Sequence, residues 1–591
     1  MIRLSDYVIK YLERKNIKHV FTVSGGGSIF LCDALYKAKK IKYISCHHEQ
    51  AVAFAVEGYS RTSSNIGCGI VTTGPGGTNS LTGVAAAWID SVPTIFISGQ
   101  VFLNQTIKDT NKRQVGVQEA NIISLVKPIT KYSVMLKDPM KIKFHLDIAF
   151  KIAKSGRPGP VWIDIPADIQ NSMIDDTKLK SIKNIKEKLP KKEILKIKRI
   201  AEKLNNSNAP LIHIGHGVRL SKNRKKLINI LKKIGLPMIF TWNADDLVDY
   251  KNNLNFGKAG AFGSRYSNFI IQNCETYLSI GTRLPYMVTG YDQKNFAKKA
   301  KFKARVDIDS NELKNNQMNF NSLVNLDASN FIIQLKKYIN INKKKLNHWL
   351  KYCNEIKKKL PIIENQKIRK NKINSYNFIN RLSSCLNNRS VIITDMGFSF
   401  TTTHQAIINK QGQQIVTNSG HAPMGWGLPA AIGAYFGNNR EKKIICIAGD
   451  GGFQMNIQEL STVMANKIPL KIFVFNNKGY LTIKQTQILG FKGRIMGANE
   501  KSGLQFPNLK KIADAHKIKY IKISSEKKLN FKKILNDKNP YIVELLMDPD
   551  EEQLPKAINK RNKEGKTIPT DLEDMYPFIK EKNFNKLGFK V

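Results

Sequence analysis

Short apolar runs that end in turn residues and hand over to helical patterns constrain this chain more than any other feature. Val20 to Val23, Gly69 to Thr72, Thr94 to Ser98 and Val161 to Ile165 are strand-like, and most lead into a helix candidate, which is the pattern of a parallel α/β sheet. The rhythm restarts at Pro210 with Leu211-Ile212-His213-Ile214-Gly215-His216-Gly217, where Ala304 to Ile308 is the expected last strand, and again from Val391 to Leu546. Lys-rich stretches, Asn171 to Lys192 and Asn342 to Lys372, separate these blocks. The expected fold is α/β, with three doubly wound parallel-sheet domains at 1–170, 190–340 and 373–547, each of an ordinary domain size. A tail, 548–591, contains Pro555, Pro569 and Pro577 and is expected to wrap over the surface.

At 591 residues the chain exceeds one hydrophobic core, and 42% apolar content excludes disorder as its general state. A formal charge of +49 raises the question of a polyanion partner. The lysines of Lys178 to Arg199 and Lys336 to Lys372, however, alternate with Ile and Asn in segments that read as exposed helices and linkers. No nucleic-acid partner is expected from that distribution. Seven scattered cysteines without a C-x-x-C pair fit neither a disulfide framework nor a zinc site. Charges interrupt the amphipathic N-terminal pattern, and no apolar run reaches the length of a membrane span. The expectation is a cytoplasmic protein with no membrane partner.

The sharpest chemical signal is Gly449-Asp450-Gly451-Gly452 after the apolar run Lys443 to Ala448, completed by Asn476-Asn477 after the run Leu470 to Phe475. At the C-terminal ends of parallel strands the two groups meet in the crevice where such sheets bind ligands. Asp450 offers an anionic oxygen, Asn477 an amide oxygen and the backbone near Gly479 a carbonyl. These hard donors, with phosphate oxygens and water, suit octahedral Mg²⁺. Gly449, Gly451 and Gly452 let backbone approach a diphosphate, and a helix expected from about Asn456 directs its positive end there.

This signature resembles that of the thiamine diphosphate enzyme family. The resemblance narrows to the acetolactate synthase type through His48-Glu49-Gln50, Thr73-Gly74-Pro75-Gly76-Gly77-Thr78-Asn79, Gly156-Arg157-Pro158-Gly159-Pro160-Val161 and Met424-Gly425-Trp426-Gly427-Leu428-Pro429-Ala430-Ala431-Ile432-Gly433. It implies pyrimidine-binding, central and diphosphate-binding domains, in that order. It also implies a carboligase, a transferase that decarboxylates a 2-oxo acid such as pyruvate and passes the remaining unit to an acceptor carbonyl. Glu49 matches the acid that shares a proton with the cofactor's aminopyrimidine ring, and Met424 the residue that keeps the cofactor bent. Thr73 matches a cofactor contact, while Gly26, within Gly25-Gly26-Gly27, matches the glycine turn facing the reactive carbon. Gln118 and Lys131 match further active-site positions, although an ordinary surface charge explains Lys131 equally well. A homodimer or tetramer, with each site shared between subunits, and a small regulatory subunit are implied as well.

Three departures bear on substrate choice. Val117 stands where the family usually has Phe, and Thr482 and Thr486 stand where it has Met and Trp. Smaller side chains widen an acceptor pocket, so transfer to a nucleotide-linked keto-sugar is kept beside acetolactate formation, simple decarboxylation and 2-oxo acid oxidation. FAD in the central domain stays open: Arg283 fits the family pattern, whereas Met287 and the stretch Lys258 to Gly263 depart from it. A regulatory or nucleic-acid-binding protein without catalysis is the reading from another class, and the intact Glu49, Asp450 and Asn477 disfavour it.

Overall fold

The computed structural model describes all residues except Ser64, Asp109, 183–189, 315–316, 362, 364–368, 526–528, 562–563, 565, 569 and 590–591. It contains three parallel sheets of six strands, each with flanking helices. The first comprises β1 (His19–Thr22), β2 (Lys42–Ser45), β3 (Gly67–Val71), β4 (Thr94–Gln100), β5 (Tyr132–Met135) and β6 (Val161–Pro166), in the order β2-β1-β3-β4-β6-β5. The second comprises β7 (Pro210–Ile214), β8 (Met238–Phe240), β9 (Asn255–Lys258), β10 (Thr276–Ile280), β11 (Phe302–Asp307) and β12 (Ser322–Asn325), in the order β9-β8-β7-β10-β11-β12. The third comprises β13 (Ser390–Thr394), β14 (Gln414–Val416), β15 (Lys443–Gly449), β16 (Lys471–Asn476), β17 (Lys519–Ile523) and β18 (Tyr541–Leu546), in the order β14-β13-β15-β16-β18-β17. In each sheet the order reverses direction at a central strand, so two crossovers leave a crevice above the carboxyl ends.

The chain divides into two compact units. One contains Met1–Ile185, Arg389–Phe400 and Val416–Pro549; the other contains Lys186–Asn388, Thr401–Ile415 and Asp550–Val591. In the first unit, helix α1 (Glu49–Thr62) crosses helix α3 (Gly427–Gly437) at very short range. Helix α2 (Ile142–Lys154) lies between β5 and β6 in the chain. A side chain at Gly58 would overlap the Ala430 carbonyl, and one at Gly433 the Ala55 carbonyl. Glycine is therefore required at the crossing, where the gain is fully buried apolar surface around Val52, Phe54, Val56 and Ile432.

Several boundaries differ from the sequence expectation. The central sheet does not end near Ile308, because β12 adds a sixth strand. Met173–Ile174, expected as linker, pairs antiparallel with Ile2–Arg3. The tail, in which Pro569 lies outside the described residues, does more than cover surface: Leu572 and Met575 are buried, and Asn268 Nδ2 and Arg265 Nη1 donate to their carbonyls at 3.0 and 2.7 Å. Short segments such as these carry little periodicity, and Met173–Ile174 and the tail find their partners far back along the chain, at Ile2–Arg3 and at Arg265 and Asn268. Among the described residues no helix is long and apolar enough to cross a membrane.

Candidate active site

The first unit brings the C-terminal edges of two sheets into play. From the first sheet come Gly25-Gly26-Gly27 after β1, His47 to Gln50 after β2, Thr72 to Gly76 after β3 and the loop to Gln118 after β4. From the third come Asp395 after β13, Gly449 to Gly452 at the end of β15 and Asn477 to Gly479 after β16. The structure does not bring Lys131 to this edge. It precedes β5, its N–H donates to the Pro160 carbonyl at the opposite end of the sheet, and its Nζ donates to the carbonyls of Ile152 and Ser155, both at 2.5 Å. There Lys131 neutralises the C-terminus of α2, a structural duty, and burial lowers its pKa to about 8.

Asp450 is the first residue of a five-residue helix, α4 (Asp450–Gln454), so the helix begins six residues earlier than the sequence suggested. A 3₁₀ turn at Ile457–Glu459 and helix α5 (Leu460–Ala465) follow. The Asp450 carboxylate is buried and accepts N–H groups of Gly451 at 2.8 Å and Gly479 at 3.2 Å. Burial raises its pKa to about 7, while the backbone N–H groups of Gly451, Gly479, Lys478 and Asn477 favour the ionised form. The Asn477 loop therefore wraps this carboxylate. Asn477 itself is buried, and its Oδ1 has no hydrogen-bond partner among the described residues. An orphaned acceptor beside a desolvated carboxylate is costly unless a cation or donor completes it. No group of three His, Cys, Asp or Glu side chains forms a metal site among the described residues. For Gly479 the structure shows its N–H engaged with Asp450.

The glycines of the loop have different duties. Gly449 has open space where a side chain would stand, whereas a Cβ added at Gly451 would overlap the Tyr480 ring and stand 3.4 Å from the Met424 methyl, and one at Gly452 would lie 2.8 Å from an Asp395 oxygen. Met424 thus sits over the loop. Its turn is held by two buried carboxylates that sequence reasoning missed. Asp395 accepts the Gly425 N–H at 3.1 Å and that of Met396 at 2.6 Å, and burial raises its pKa to about 6. Glu57, from α1, accepts Trp426 Nε1 at 2.7 Å and Asn418 Nδ2 at 2.9 Å, and pairs with Arg61 at 2.6 Å. The i, i+4 spacing of Glu57 and Arg61 was the available clue.

Glu49 opens α1 and is half-buried, with Oε2 accepting from Asn79 Nδ2 at 2.9 Å. Capping falls to His48, whose Nδ1 accepts the Gln50 N–H at 3.1 Å. Gly26 faces open space, whereas added Cβ atoms at Gly25 and Gly27 would lie 2.5 and 2.8 Å from Thr72 and Thr73. Thr73 is buried, and its hydroxyl donates to Gln100 Oε1 at 2.6 Å. Gln100 in turn donates to Asp164 at 3.1 Å, a second network without an obvious sequence signal. The Gln118 carbonyl lies so close to Gly74 that a side chain there would overlap it, which places the Gln118 backbone beside the Thr73 turn.

Comparison with known proteins follows the same division. Residues 2–122 match the thiamine pyrophosphate enzyme N-terminal TPP binding domain, 197–335 the central domain and 395–545 the C-terminal TPP binding domain. The acetolactate synthase large subunit of Cyanidium caldarium is 30% identical over 564 residues, covering 93% of this chain and 94% of the relative. The chain belongs to the thiamine pyrophosphate enzyme family. A probable acetolactate synthase large subunit of Methanocaldococcus jannaschii is 32% identical over 559 residues, covering 93% and 92%. The acetolactate synthase isozyme 1 large subunit of Escherichia coli is 28% identical over 554 residues, covering 93% and 95%. As a thiamine pyrophosphate enzyme, the chain places its Glu49 turn in the domain matched as N-terminal and its Met424 turn, Asp450 and Asn477 in the domain matched as C-terminal.

Proposed function

We propose that this enzyme uses thiamine diphosphate and Mg²⁺ to decarboxylate a 2-oxo acid, with pyruvate as donor, and to join the product to an acceptor carbonyl in the manner of an acetolactate synthase. The observation that carries the reading is the buried Asp450 carboxylate wrapped by the loop of Asn477, whose Oδ1 is left without a partner among the described residues. Asp450, the Asn477 amide oxygen and a backbone carbonyl at Gly479 would hold Mg²⁺, and the Gly449 to Gly452 loop would receive the diphosphate. Bound there, thiamine diphosphate supplies a reactive carbon and an electron sink for loss of CO₂.

The protein's part is placement and proton transfer. Glu49, with one oxygen engaged by Asn79 Nδ2, would share a proton with the pyrimidine ring nitrogen through the other. Met424, its turn fixed by Asp395 and Glu57, would hold the cofactor from the side of that turn. Gly26 leaves room for the reacting carbonyl beside backbone N–H groups, and Gln118 borders the acceptor side. Lys131 has no role in this reading.

Val117 is 85% exposed and Thr486 lies exposed on α6 (Leu481–Gly490), the helix after the Asn477 loop. Their small size favours a second reading, in which the acceptor is a bulkier ketone such as a nucleotide-linked keto-sugar. Assembly as a homodimer or tetramer belongs to the same proposal, supported by exposed apolar side chains at Val117, Leu489, Phe491 and Met496. The relatives' names as large subunits support a smaller regulatory partner. A cytoplasmic location fits the free cysteines. FAD in the central domain is left open and is given no part in the mechanism. The flavin absorbance of the purified protein tests for it.

The test of function is mass spectrometry of products from pyruvate with a panel of acceptors, using the protein reconstituted with Mg²⁺ and thiamine diphosphate. Condensed products that vanish in Glu49→Gln are expected. Consumption of pyruvate by Glu49→Gln at the wild-type rate would overturn the assignment.

A further inference from the structure

The segment that follows the Asp450 loop grips the turn that carries Glu49. Glu459 is fully buried, and its Oε1 accepts the His47 N–H at 2.9 Å. The His48 N–H also favours its ionised form, and Oε2 accepts the Thr462 hydroxyl at 2.7 Å. Thr462, equally buried, lies 3.3 Å from the Ser45 carbonyl. Just before them, Asn456 Nδ2 donates to Gln50 Oε1 at 3.1 Å and to the Gly425 carbonyl at 2.9 Å. Residues 45, 47, 48 and 50, which bracket Glu49, are therefore each tied to one short stretch, Asn456 to Thr462.

A carboxylate with no exposure is expensive to retain in a protein interior. Here the partners are directional N–H and O–H groups, and two of them belong to the residues immediately preceding Glu49. Such a bond fixes backbone direction, and the direction of the His47-His48 backbone sets where α1 starts and where the Glu49 side chain projects. The same stretch is continuous with Asp450 and bonds the Met424 turn through Gly425. One segment thereby ties the Glu49 turn to the Met424 turn of the same chain.

We infer that Glu459 is a positioning residue for Glu49, fixing the direction of the turn from which that side chain projects. This rests on Glu49 being the residue that shares a proton with the cofactor. A misplacement of about 1 Å at such a group costs on the order of 100-fold in rate. A purely structural Glu459 would instead lower stability without separating cofactor binding from cofactor activation.

The experiment compares wild type, Glu459→Gln and Glu49→Gln. In Glu459→Gln the new amide presents a donor where one carboxylate oxygen accepted, so one bond is lost with little change of volume. In cofactor-free protein, hydrogen exchange at the His47 and His48 amides is expected to accelerate about tenfold in Glu459→Gln, for a loss of about 1.4 kcal/mol of protection. In protein reconstituted with Mg²⁺ and thiamine diphosphate, C2 proton exchange is expected to slow about 10- to 100-fold, with the calorimetric Kd for thiamine diphosphate nearly unchanged. Thr462→Val, which removes the hydroxyl shared by Glu459 and Ser45, should reproduce a smaller slowing and decides the matter if Glu459→Gln does not fold. If Glu49→Gln slows C2 exchange while Glu459→Gln and Thr462→Val leave it and the two amides unchanged, the positioning role is overturned and the Glu49 reading stands. If Glu49→Gln itself exchanges normally, the reading of Glu49 fails first, and the two amides alone report on the grip.

Discussion

Replacing Glu57 tests whether the close crossing of α1 and α3 depends on its buried charge cluster. Glu57 is fully buried and receives bonds from Arg61 Nη2 at 2.6 Å, Arg61 Nε at 2.9 Å, Trp426 Nε1 at 2.7 Å and Asn418 Nδ2 at 2.9 Å. In Glu57→Ala, Arg61 keeps Asp90, at 2.7 Å, as partner, while Trp426 and Asn418 lose their carboxylate acceptor. Removing one member of a buried ion pair costs about 3–5 kcal/mol, and each buried donor left unsatisfied costs about 1–3 kcal/mol. Because Asp90 retains Arg61 and the cavity admits some relaxation, the expected loss is roughly 4 kcal/mol. Glu57→Gln keeps the shape and one acceptor, so it should lose roughly 1–2 kcal/mol. Denaturant unfolding followed by far-UV circular dichroism, with amide exchange along α1 to identify the unit that opens, measures both. The double variant Glu57→Ala with Trp426→Phe should cost less than the sum of the single changes, since one bond is counted in each. A Glu57→Ala protein within about 0.5 kcal/mol of wild type, with α1 protection unaltered, would refute the argument that this cluster holds the Met424 turn.

Asp450→Ala should weaken Mg²⁺-dependent binding of thiamine diphosphate by at least about 100-fold in calorimetry, since the proposed site would lose its carboxylate; unchanged affinity would remove the metal site. Asp164 is fully buried against Ser98 and Gln100, and its pKa is raised by burial to about 7. The folded state therefore binds more protons than the unfolded chain from the ordinary carboxylate range up to about 7, and stability falls as pH rises through that window. Asp164→Asn should flatten this slope in thermal melts, and an unchanged slope would assign it to other groups. Thr486→Trp should shift acceptor preference toward pyruvate by roughly tenfold in kcat/KM, within the roughly 1–3 kcal/mol that a filled pocket supplies. No shift, together with pyruvate as the best acceptor of the wild type, would favour plain acetolactate synthesis.

The strand-turn-helix rhythm, the α/β class and the placement of Asp450 and Asn477 at strand ends could be read from the linear chain, because each is written in a contiguous run of residues. An apolar run of strand length followed by Gly-Asp-Gly-Gly has few folded solutions, and the loop's position at a strand end follows from the same segment. Strand β12 could not be read because its apolar content is short, and the buried tail because its partner Asn268 lies 304 residues away. Lys131 shows the same limit at a single residue: its type and motif matched an active-site position, yet which end of the sheet it occupies depends on where β5 begins. Glu57, Asp395 and Glu459 are the clearest products of tertiary structure. Their partners lie 369, 30 and 412 residues away at Trp426, Gly425 and His47. A buried carboxylate is tolerable only where such distant donors converge, and that convergence exists only once the sheets have packed.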